Sequence, residues 1–101
     1  MFIYNVTVNV EEVIHAEWLE WMKNVHIPQV LATGCFTENR VLKLLIEEEQ
    51  EGTVTYAVQY TFTDMEHYHR YRDQFAPALQ ADAKQRYQDK FVAFRTLLQH
   101  V

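Results

Sequence analysis

The chain repeats one pattern twice, and this internal duplication limits its possible folds more than any other feature of the sequence. Residues 4–10 align with residues 56–62, and each segment alternates apolar and polar side chains before a segment with helical spacing. A proline interrupts each helical segment at a corresponding place, Pro28 in the first half and Pro77 in the second. Period-2 alternation indicates a strand and 3.6-residue spacing a helix, so each half is predicted to be a strand-helix-strand unit.

The strands that close the two halves also correspond. Each carries an aromatic residue, an arginine and a leucine at the same spacing: Phe36, Arg40 and Leu42, then Phe91, Arg95 and Leu97. Two such units with right-handed crossovers form a split ferredoxin-like sheet. The expected fold class is therefore α+β, a ferredoxin-like βαββαβ domain over residues 1–101. Its four-stranded antiparallel sheet has the order 4-1-3-2, with helices on one face.

The predicted elements follow from periodicity, caps and turn residues. Strands are expected at 2–10, 36–48, 53–63 and 91–98, with an acidic hairpin tip at 47–52. The first helix should begin with an Asn9–Glu12 capping box and end or kink near His26, and the second should begin with a Thr63–Glu66 box. A short helical piece from Pro28 to Ala32 should stop at a left-handed Gly34.

One side of the predicted sheet is apolar and packs under the helices, which leaves a polar side uncovered. The residues expected on that second side are Asn5, Thr7, Asn9, Thr55, Gln59 and Thr61. Two edge strands and an uncovered face in so small a domain favour pairing with a second copy.

Composition excludes several classes of protein. The net charge is −5 and no run of lysine or arginine occurs, so nucleic acid is not an expected partner. No stretch approaches the roughly 20 apolar residues that span a bilayer, and the N-terminal segment lacks a basic region, which predicts a cytoplasmic protein without membrane contact. Cys35 is the only cysteine, so an internal disulfide is impossible.

Four segments together resemble an uncharacterised bacterial domain-of-unknown-function family related to the dimeric α/β-barrel proteins. They are Tyr4 to Val8, Trp18 to Met22 running on to His26-Ile27-Pro28, Ala32 to Phe36, and Lys90 to Leu98. The resemblance covers essentially the whole chain. It implies a homodimer in which two sheets face each other and close a barrel, with helices outside.

The wider group to which this resemblance points includes cofactor-independent monooxygenases, small-molecule isomerases, lactonizing enzymes, haem-handling enzymes and proteins without known catalysis. Kinship at the level of the fold does not select one of these activities. The resemblance also supplies no catalytic motif to transfer, so whether the protein is an enzyme stays open.

The candidate catalytic residues are His26, Arg40, Tyr56 and Arg95. His26 could face a cavity between helix and sheet and act as an acid or base, or could cap a helix C-terminus. Arg40 and Arg95, at corresponding places in the two halves, could hold a carboxylate or pair with acidic side chains across strands. Tyr56 could donate a hydrogen bond to a ligand, as could Tyr4 and Tyr60, or could belong to the core.

Glu-x-x-His occurs twice, as Glu12–His15 and Glu66–His69, the spacing by which a helix supplies two ligands to a di-metal centre. Both glutamates also occupy the acidic position of a predicted capping box, so a local role accounts for the spacing. No metal or cofactor is expected. Cys35 has no basic neighbour in the sequence and is expected to be a buried, unreactive thiol.

The leading hypothesis is a homodimeric small-molecule-binding module without a cofactor. The alternatives are a small cofactor-independent monooxygenase- or isomerase-like enzyme, and a protein-interaction domain. The last would dock through the acidic hairpin or through Trp18 and Trp21, which requires those side chains to be exposed.

Overall fold

The computed structural model of the protein describes residues 1–45 and 52–101. The acidic hairpin tip predicted at 47–52 lies outside the described residues except for Gly52. That glycine has a φ angle of +86°, in the left-handed region that favours a residue without Cβ.

Four antiparallel strands form one sheet. Their bounds are β1 Phe2–Glu11, β2 Glu38–Lys43, β3 Thr53–Phe62 and β4 Phe91–Gln99. The order across the sheet is β2-β3-β1-β4, which confirms the predicted topology. The two central strands pair over ten residues, from Phe2 opposite Phe62 to Glu11 opposite Thr53.

The second strand is shorter than the predicted range 36–48. Phe36 precedes β2 and is buried, with its ring centroid 5.9 Å from that of Tyr4 and 5.2 Å from that of Tyr60. The amide of Thr37 then donates to the carbonyl of Thr61 at 2.8 Å. The chain thus joins the sheet edge only after it has placed this aromatic side chain in the core.

Alternate residues of the central strands point to opposite sides of the sheet, as predicted. The buried residues of one side are Tyr4, Val8, Val10, Tyr56, Val58, Tyr60 and Phe62. They form one core with helical residues from both halves: Trp18, Trp21, Met22, Ile27, Val30, Tyr71, Ala76 and Tyr87. Both sets of helices therefore cover the same face. Burial of each large apolar side chain contributes about 1.5–3 kcal/mol to this packing.

The helical layer contains four α-helices: α1 Glu12–Trp21, α2 Ile27–Ala32, α3 Met65–Arg70 and α4 Ala76–Tyr87. A π-helical turn at 22–26 joins α1 to α2, and a second at 71–75 joins α3 to α4. A short 3-10 turn at 88–90 leads into β4. As predicted, Gly34 follows α2 in a left-handed conformation, with φ of +76°.

Proline accounts for the π-helical turn in the first half. Pro28 has no N–H to donate, and in a regular α-helix its ring would press on the carbonyl of Asn24, four residues earlier. Instead the amide of Ile27 bonds to the carbonyl of Met22, five residues back, which widens the turn just before the proline. The chain therefore stays helical past His26, where an end or kink was predicted.

The second half repeats this arrangement. The amide of Ala76 bonds to the carbonyl of Tyr71, again five residues back and just before Pro77. Both prolines thus interrupt the regular α-helix at the predicted positions, and each interruption is a π-helical turn. The duplication extends to this detail of backbone geometry.

The predicted capping box of the first helix is wrong. Asn9 remains in β1, and its Nδ2 donates to the hydroxyls of Thr53 and Thr55 at 3.1 and 2.9 Å. Helix α1 begins after Glu11 without a side-chain cap. The strand pairing of β1 with β3 continues to its last residue and keeps Asn9 from turning toward the helix.

The second capping box is displaced by one residue. Asp64, instead of Thr63, precedes the helix, and its Oδ1 accepts a hydrogen bond of 2.8 Å from the amide of Glu66. A carboxylate at this position also interacts favourably with the helix dipole. Across the described ranges, no helix combines the length and apolar character needed to cross a lipid bilayer.

Candidate functional site

His26 lies at the end of the first π-helical turn. Its ring packs against Trp21 with centroids 5.1 Å apart, and its Nδ1 is buried with no hydrogen-bond partner among the described residues. Burial lowers the pKa of His26, the charge of Arg95 lowers it further, and Asp82 acts in the opposite direction. The imidazole is therefore neutral at pH 7.

Arg95, on the edge strand β4, acts on His26 through its charge. It pairs opposite Val6 in the sheet register, so its side chain lies on the helix-covered side. No ion pair joins it to an acidic side chain within residues 1–45 and 52–101. Arg95 is exposed, so the guanidinium is open to solvent and available to an anion at this edge of the sheet.

Two buried tyrosines, Tyr4 and Tyr71, complete the group, and their ring centroids lie 5.7 Å apart. Burial raises the pKa of both hydroxyls, and the charge of Arg95 partly opposes this. The side chains of Arg95 and Gln80 both act to lower the pKa of the Tyr4 hydroxyl against this effect of burial. Both phenols keep their protons at neutral pH. We call His26, Arg95, Tyr4 and Tyr71 the His26 cluster.

The His26 cluster brings three kinds of chemistry together on one side of the sheet. A neutral imidazole can take up a proton. A guanidinium can bind a carboxylate through two parallel hydrogen bonds. Phenolic hydroxyls donate hydrogen bonds to oxygen atoms. The combination suits a small molecule with an anionic oxygen and a neighbouring hydroxyl or carbonyl group.

Tyr56 belongs to a different contact. It lies on the helix-covered side of β3, and its hydroxyl is 3.1 Å from Nδ1 of His15. Its ring packs against Trp18 with centroids 5.4 Å apart. These contacts attach α1 to the sheet and do not bring Tyr56 to His26. Burial raises the pKa of the Tyr56 hydroxyl.

Arg40 lies on the opposite side of the sheet from Arg95. It pairs opposite Gln59, which in turn pairs opposite Asn5 on the side that the helices leave uncovered. The predicted equivalence of the two arginines is therefore wrong. A shift of one residue in a strand reverses the direction of every side chain, and the two closing strands differ by such a shift.

The uncovered side, which we call the open face, carries the polar residues predicted for it and holds them by mutual hydrogen bonds. Nδ2 of Asn5 donates to the hydroxyls of Thr7 and Thr96 at 3.0 and 3.2 Å. Nε2 of Gln59 donates to Oδ1 of Asn5 at 3.2 Å. Asn5 is only 9% exposed although no helix covers it.

The two Glu-x-x-His segments do not meet at one site. His15 forms a hydrogen bond with the hydroxyl of Tyr56, whereas Glu12, Glu66 and His69 are exposed. In the part of the chain that the structure describes, no group of three or more histidine, cysteine, aspartate and glutamate side chains is placed to hold a metal ion.

Cys35 has a basic neighbour that its sequence context did not indicate. Nε of Arg70, from α3, donates to its Sγ at 3.4 Å, and the thiol itself is buried. The contact joins the loop after α2 to the helix of the other half of the chain. It serves the packing between the two halves.

Both tryptophans are buried, Trp18 with 2% and Trp21 with 7% of its surface exposed. The condition for docking through a tryptophan-rich helix is therefore not met. The acidic hairpin, the other surface considered for docking, lies mostly outside the described residues.

The sequence did not identify Tyr71 as a site residue, nor Gln80 as a neighbour of Tyr4 or Asp82 as a neighbour of His26. The position of Pro77, equivalent to that of Pro28, was a signal that Tyr71 and His26 belong to matching turns. The proximity of these turns to β4 depends on tertiary packing, which local spacing does not reveal.

Solved structures that are similar to this chain include three that share its fold. HapK from Hahella chejuensis has a TM-score of 0.71 at 10% identity, covering 100% of this chain and 93% of its own. An EthD family protein from Bacillus halodurans has a TM-score of 0.67 at 10% identity, covering 100% of both chains. A dimeric ferredoxin-like protein from an uncultured marine organism has a TM-score of 0.60 at 11% identity, covering 99% of this chain and 98% of its own.

At identities this low, the structural likeness establishes a shared ferredoxin-like α+β fold and says nothing about activity. No curated protein matches the sequence. The sequence pattern of the domain-of-unknown-function family DUF4286 matches residues 1–101, which confirms the resemblance drawn from the sequence. The chain belongs to the family DUF4286.

Proposed function

We propose that this protein is a homodimeric small-molecule-binding module that works without a cofactor and holds its ligand at the His26 cluster. The observation that supports the proposal is the buried, unpartnered Nδ1 of His26 close to an arginine that has no acidic partner in the described ranges. In the described structure Nδ1 of His26 lacks a hydrogen bond and the guanidinium of Arg95 lacks an anionic partner, and one ligand can supply both.

The energetics favour such a ligand. A buried polar atom without a hydrogen bond costs about 1–3 kcal/mol, which a ligand oxygen next to Nδ1 would recover. Arg95 disfavours protonation of His26, so the imidazole stays neutral while the guanidinium attracts the anionic group. The protonated phenols of Tyr4 and Tyr71, on which the charge of Arg95 also acts, add hydrogen-bond donors to the cluster.

The homodimer is supported by the composition of the open face. Exposed apolar side chains follow its two edge strands: Leu42 on β2, and Val92, Phe94 and Leu98 on β4. Three strands of nine or ten residues, about 30–33 Å long, and the six-residue β2, about 20 Å long, lie about 4.8 Å apart and present roughly 550 Å² per protomer. Pairing two such faces would bury roughly 1,100 Å², above the roughly 1,000 Å² expected of a biological interface. A related solved structure is described as dimeric.

Sedimentation velocity at micromolar concentration tests the dimer. Wild-type protein should sediment as a dimer, and Phe94→Lys should sediment as a monomer because it places a charge where the second sheet would pack. Val13→Lys, on the exposed surface of α1, is the matched control and should stay dimeric. A monomeric wild type, or a Phe94→Lys variant that remains a dimer, would contradict pairing through the open face.

Native mass spectrometry of gently purified protein tests the ligand. The wild type should carry a small molecule, and Arg95→Gln should lose it because the anion loses its cation. Arg72→Gln is the control, since Arg72 is exposed and already paired with Asp73 at 2.8 Å. A wild type without any adduct, or an adduct retained equally by Arg95→Gln, would remove the proposed site.

The second candidate is a small cofactor-independent enzyme of the monooxygenase or isomerase kind. The neutral imidazole of His26 favours it, because that group could accept a proton from a carbon acid while Arg95 held the resulting enolate oxygen. Deuterium incorporation into the co-purified molecule in heavy water would identify such proton transfer. His26→Gln should abolish that exchange, whereas a binding module would show none in either form.

A further inference from the structure

A separate hollow of about 170 Å³ lies on the open face, where β1 begins and β4 ends. Side chains of both charges, polar groups and two apolar residues line it, among them Met1, Ile3, Glu38, Arg40, Gln59 and His100. It is on the other side of the sheet from the His26 cluster. Nothing argued for that cluster uses these side chains. The open face is also the surface proposed to pair two protomers, so in that dimer a ligand in the hollow is enclosed between the two sheets.

Charge on the open face is concentrated at this hollow. Within the strands, the only other charged residue on this side is Glu11, at the far end of β1. Glu38 and Arg40 are two residues apart on β2, so their side chains leave the same side of the strand about 7 Å apart. No ion pair joins either of them to another described residue. Among the described side chains that line the hollow, Arg40 thus offers a positive charge and Glu38 a negative charge, neither of them in an ion pair.

The hydrogen bonds of the open face also fix which atom Gln59 offers. Asn5 uses its Nδ2 to donate to Thr7 and Thr96, so its Oδ1 is the acceptor. Nε2 of Gln59 donates to that oxygen, so Oε1 of Gln59, a residue that lines the hollow, has no hydrogen-bond donor among the described residues. A carboxylate and an amide oxygen together form a receptor for an ammonium group.

We propose that this hollow binds a small zwitterion, a molecule with one carboxylate and one ammonium group such as an α-amino acid. Arg40 holds the carboxylate through its planar pair of donors. Glu38 and Oε1 of Gln59 hold the ammonium group, and Ile3 contacts the aliphatic part. A plain anion would meet the charge of Glu38 and a plain amine that of Arg40, so each is disfavoured.

Titration calorimetry with three probes of matched size tests the proposal: L-norvaline, pentanoate and pentylamine. In the wild-type protein norvaline should bind saturably and at least tenfold more tightly than pentanoate or pentylamine. Arg40→Gln should abolish norvaline binding. Glu38→Gln should reverse the preference, because the hollow then carries a net positive charge and favours pentanoate.

Arg95→Gln is the control, and it should bind norvaline like the wild type because Arg95 lies on the other side of the sheet. Failure at this hollow and failure at the His26 cluster are therefore distinguishable. The proposal is overturned if pentanoate binds the wild type as tightly as norvaline, or if no probe saturates at about 10 mM. The proposal is also overturned if no probe binds and both Glu38→Gln and Arg40→Gln dissociate the dimer. That result would mean that Glu38 of one protomer pairs with Arg40 of the other.

Discussion

The ring of His26 packs against that of Trp21 with centroids 5.1 Å apart, and this contact keeps Nδ1 buried and unpartnered in the described structure. Trp21 in turn contacts Tyr87 at the end of α4, edge to face, at 5.6 Å. The orientation of the imidazole is thus set by the packing of the first-half helices against α4 of the second half. A ligand would meet a ring already held in place, which lowers the entropic cost of binding.

Stability should fall in mild acid because of His26. Its pKa in the folded protein is lowered from the ordinary 6.5 by burial. Between pH 6.5 and the lower native pKa the unfolded chain binds more protons than the folded one, so the free energy of unfolding decreases as pH drops. One such group contributes at most about 1.4 kcal/mol per pH unit. Urea denaturation at a series of pH values measures this slope.

His26→Gln should flatten that slope, because glutamine does not titrate. His69→Gln replaces an exposed histidine and should leave the slope at its wild-type value. If His26→Gln and the wild type lose stability in parallel below pH 6.5, the burial assigned to His26 is wrong.

Trp18→Ala should destabilise the protein by about 3–5 kcal/mol, the usual cost of removing a buried tryptophan side chain. Trp18 is 2% exposed and contacts Tyr56 in the centre of the core. The matched control on the same helix is Val13→Ala, at an 86% exposed position, which should change stability by no more than about 0.5 kcal/mol. Equal effects in chemical denaturation would contradict the placement of α1.

Asn5→Ala should cost about 1–3 kcal/mol, because it leaves Nε2 of Gln59 without its acceptor in a nearly covered position. Replacing Gln59 as well should recover part of the loss, since the unpaired donor then disappears. A double-mutant cycle over Asn5→Ala and Gln59→Ala measures the coupling free energy. Strictly additive effects would show that the hydrogen bond between them contributes nothing.

Tyr56→Phe should cost about 0.5–1.5 kcal/mol by removing the hydroxyl that lies 3.1 Å from Nδ1 of His15. The ring contact with Trp18 would remain, so the fold should be unchanged. Because this contact is separate from the His26 cluster, ligand binding should also be unchanged. Loss of the bound molecule in Tyr56→Phe would mean that Tyr56 belongs to the site.

The sheet could be predicted from the sequence because its central strands alternate cleanly over ten residues, from Phe2 to Glu11 and from Thr53 to Phe62. Alternation fixes which side of a strand is buried, and the duplication fixes the order of the elements. The helix starts were less predictable. Thr63 and Asp64 are adjacent and are both good N-caps, and only the path of the chain leaving β3 decides between them.

The candidate site could be predicted only in part. His26 and Arg95 were both candidates, and in the structure the charge of Arg95 contributes to lowering the pKa of His26. Arg40 was matched to Arg95 by spacing, but the second strand begins after Phe36 and displaces Arg40 to the open face. Whether a strand residue faces the helices depends on a single-residue register, which short and weakly alternating strands such as β2 do not specify.

A crystal structure of gently purified protein, determined without added ligand, tests the central claim most directly. The account predicts two copies packed sheet to sheet through Phe94 and its apolar neighbours. It also predicts density for a small molecule that bonds to Nδ1 of His26 and to the guanidinium of Arg95. Open faces left in solvent, or His26 and Arg95 with no molecule between them but water, would contradict it.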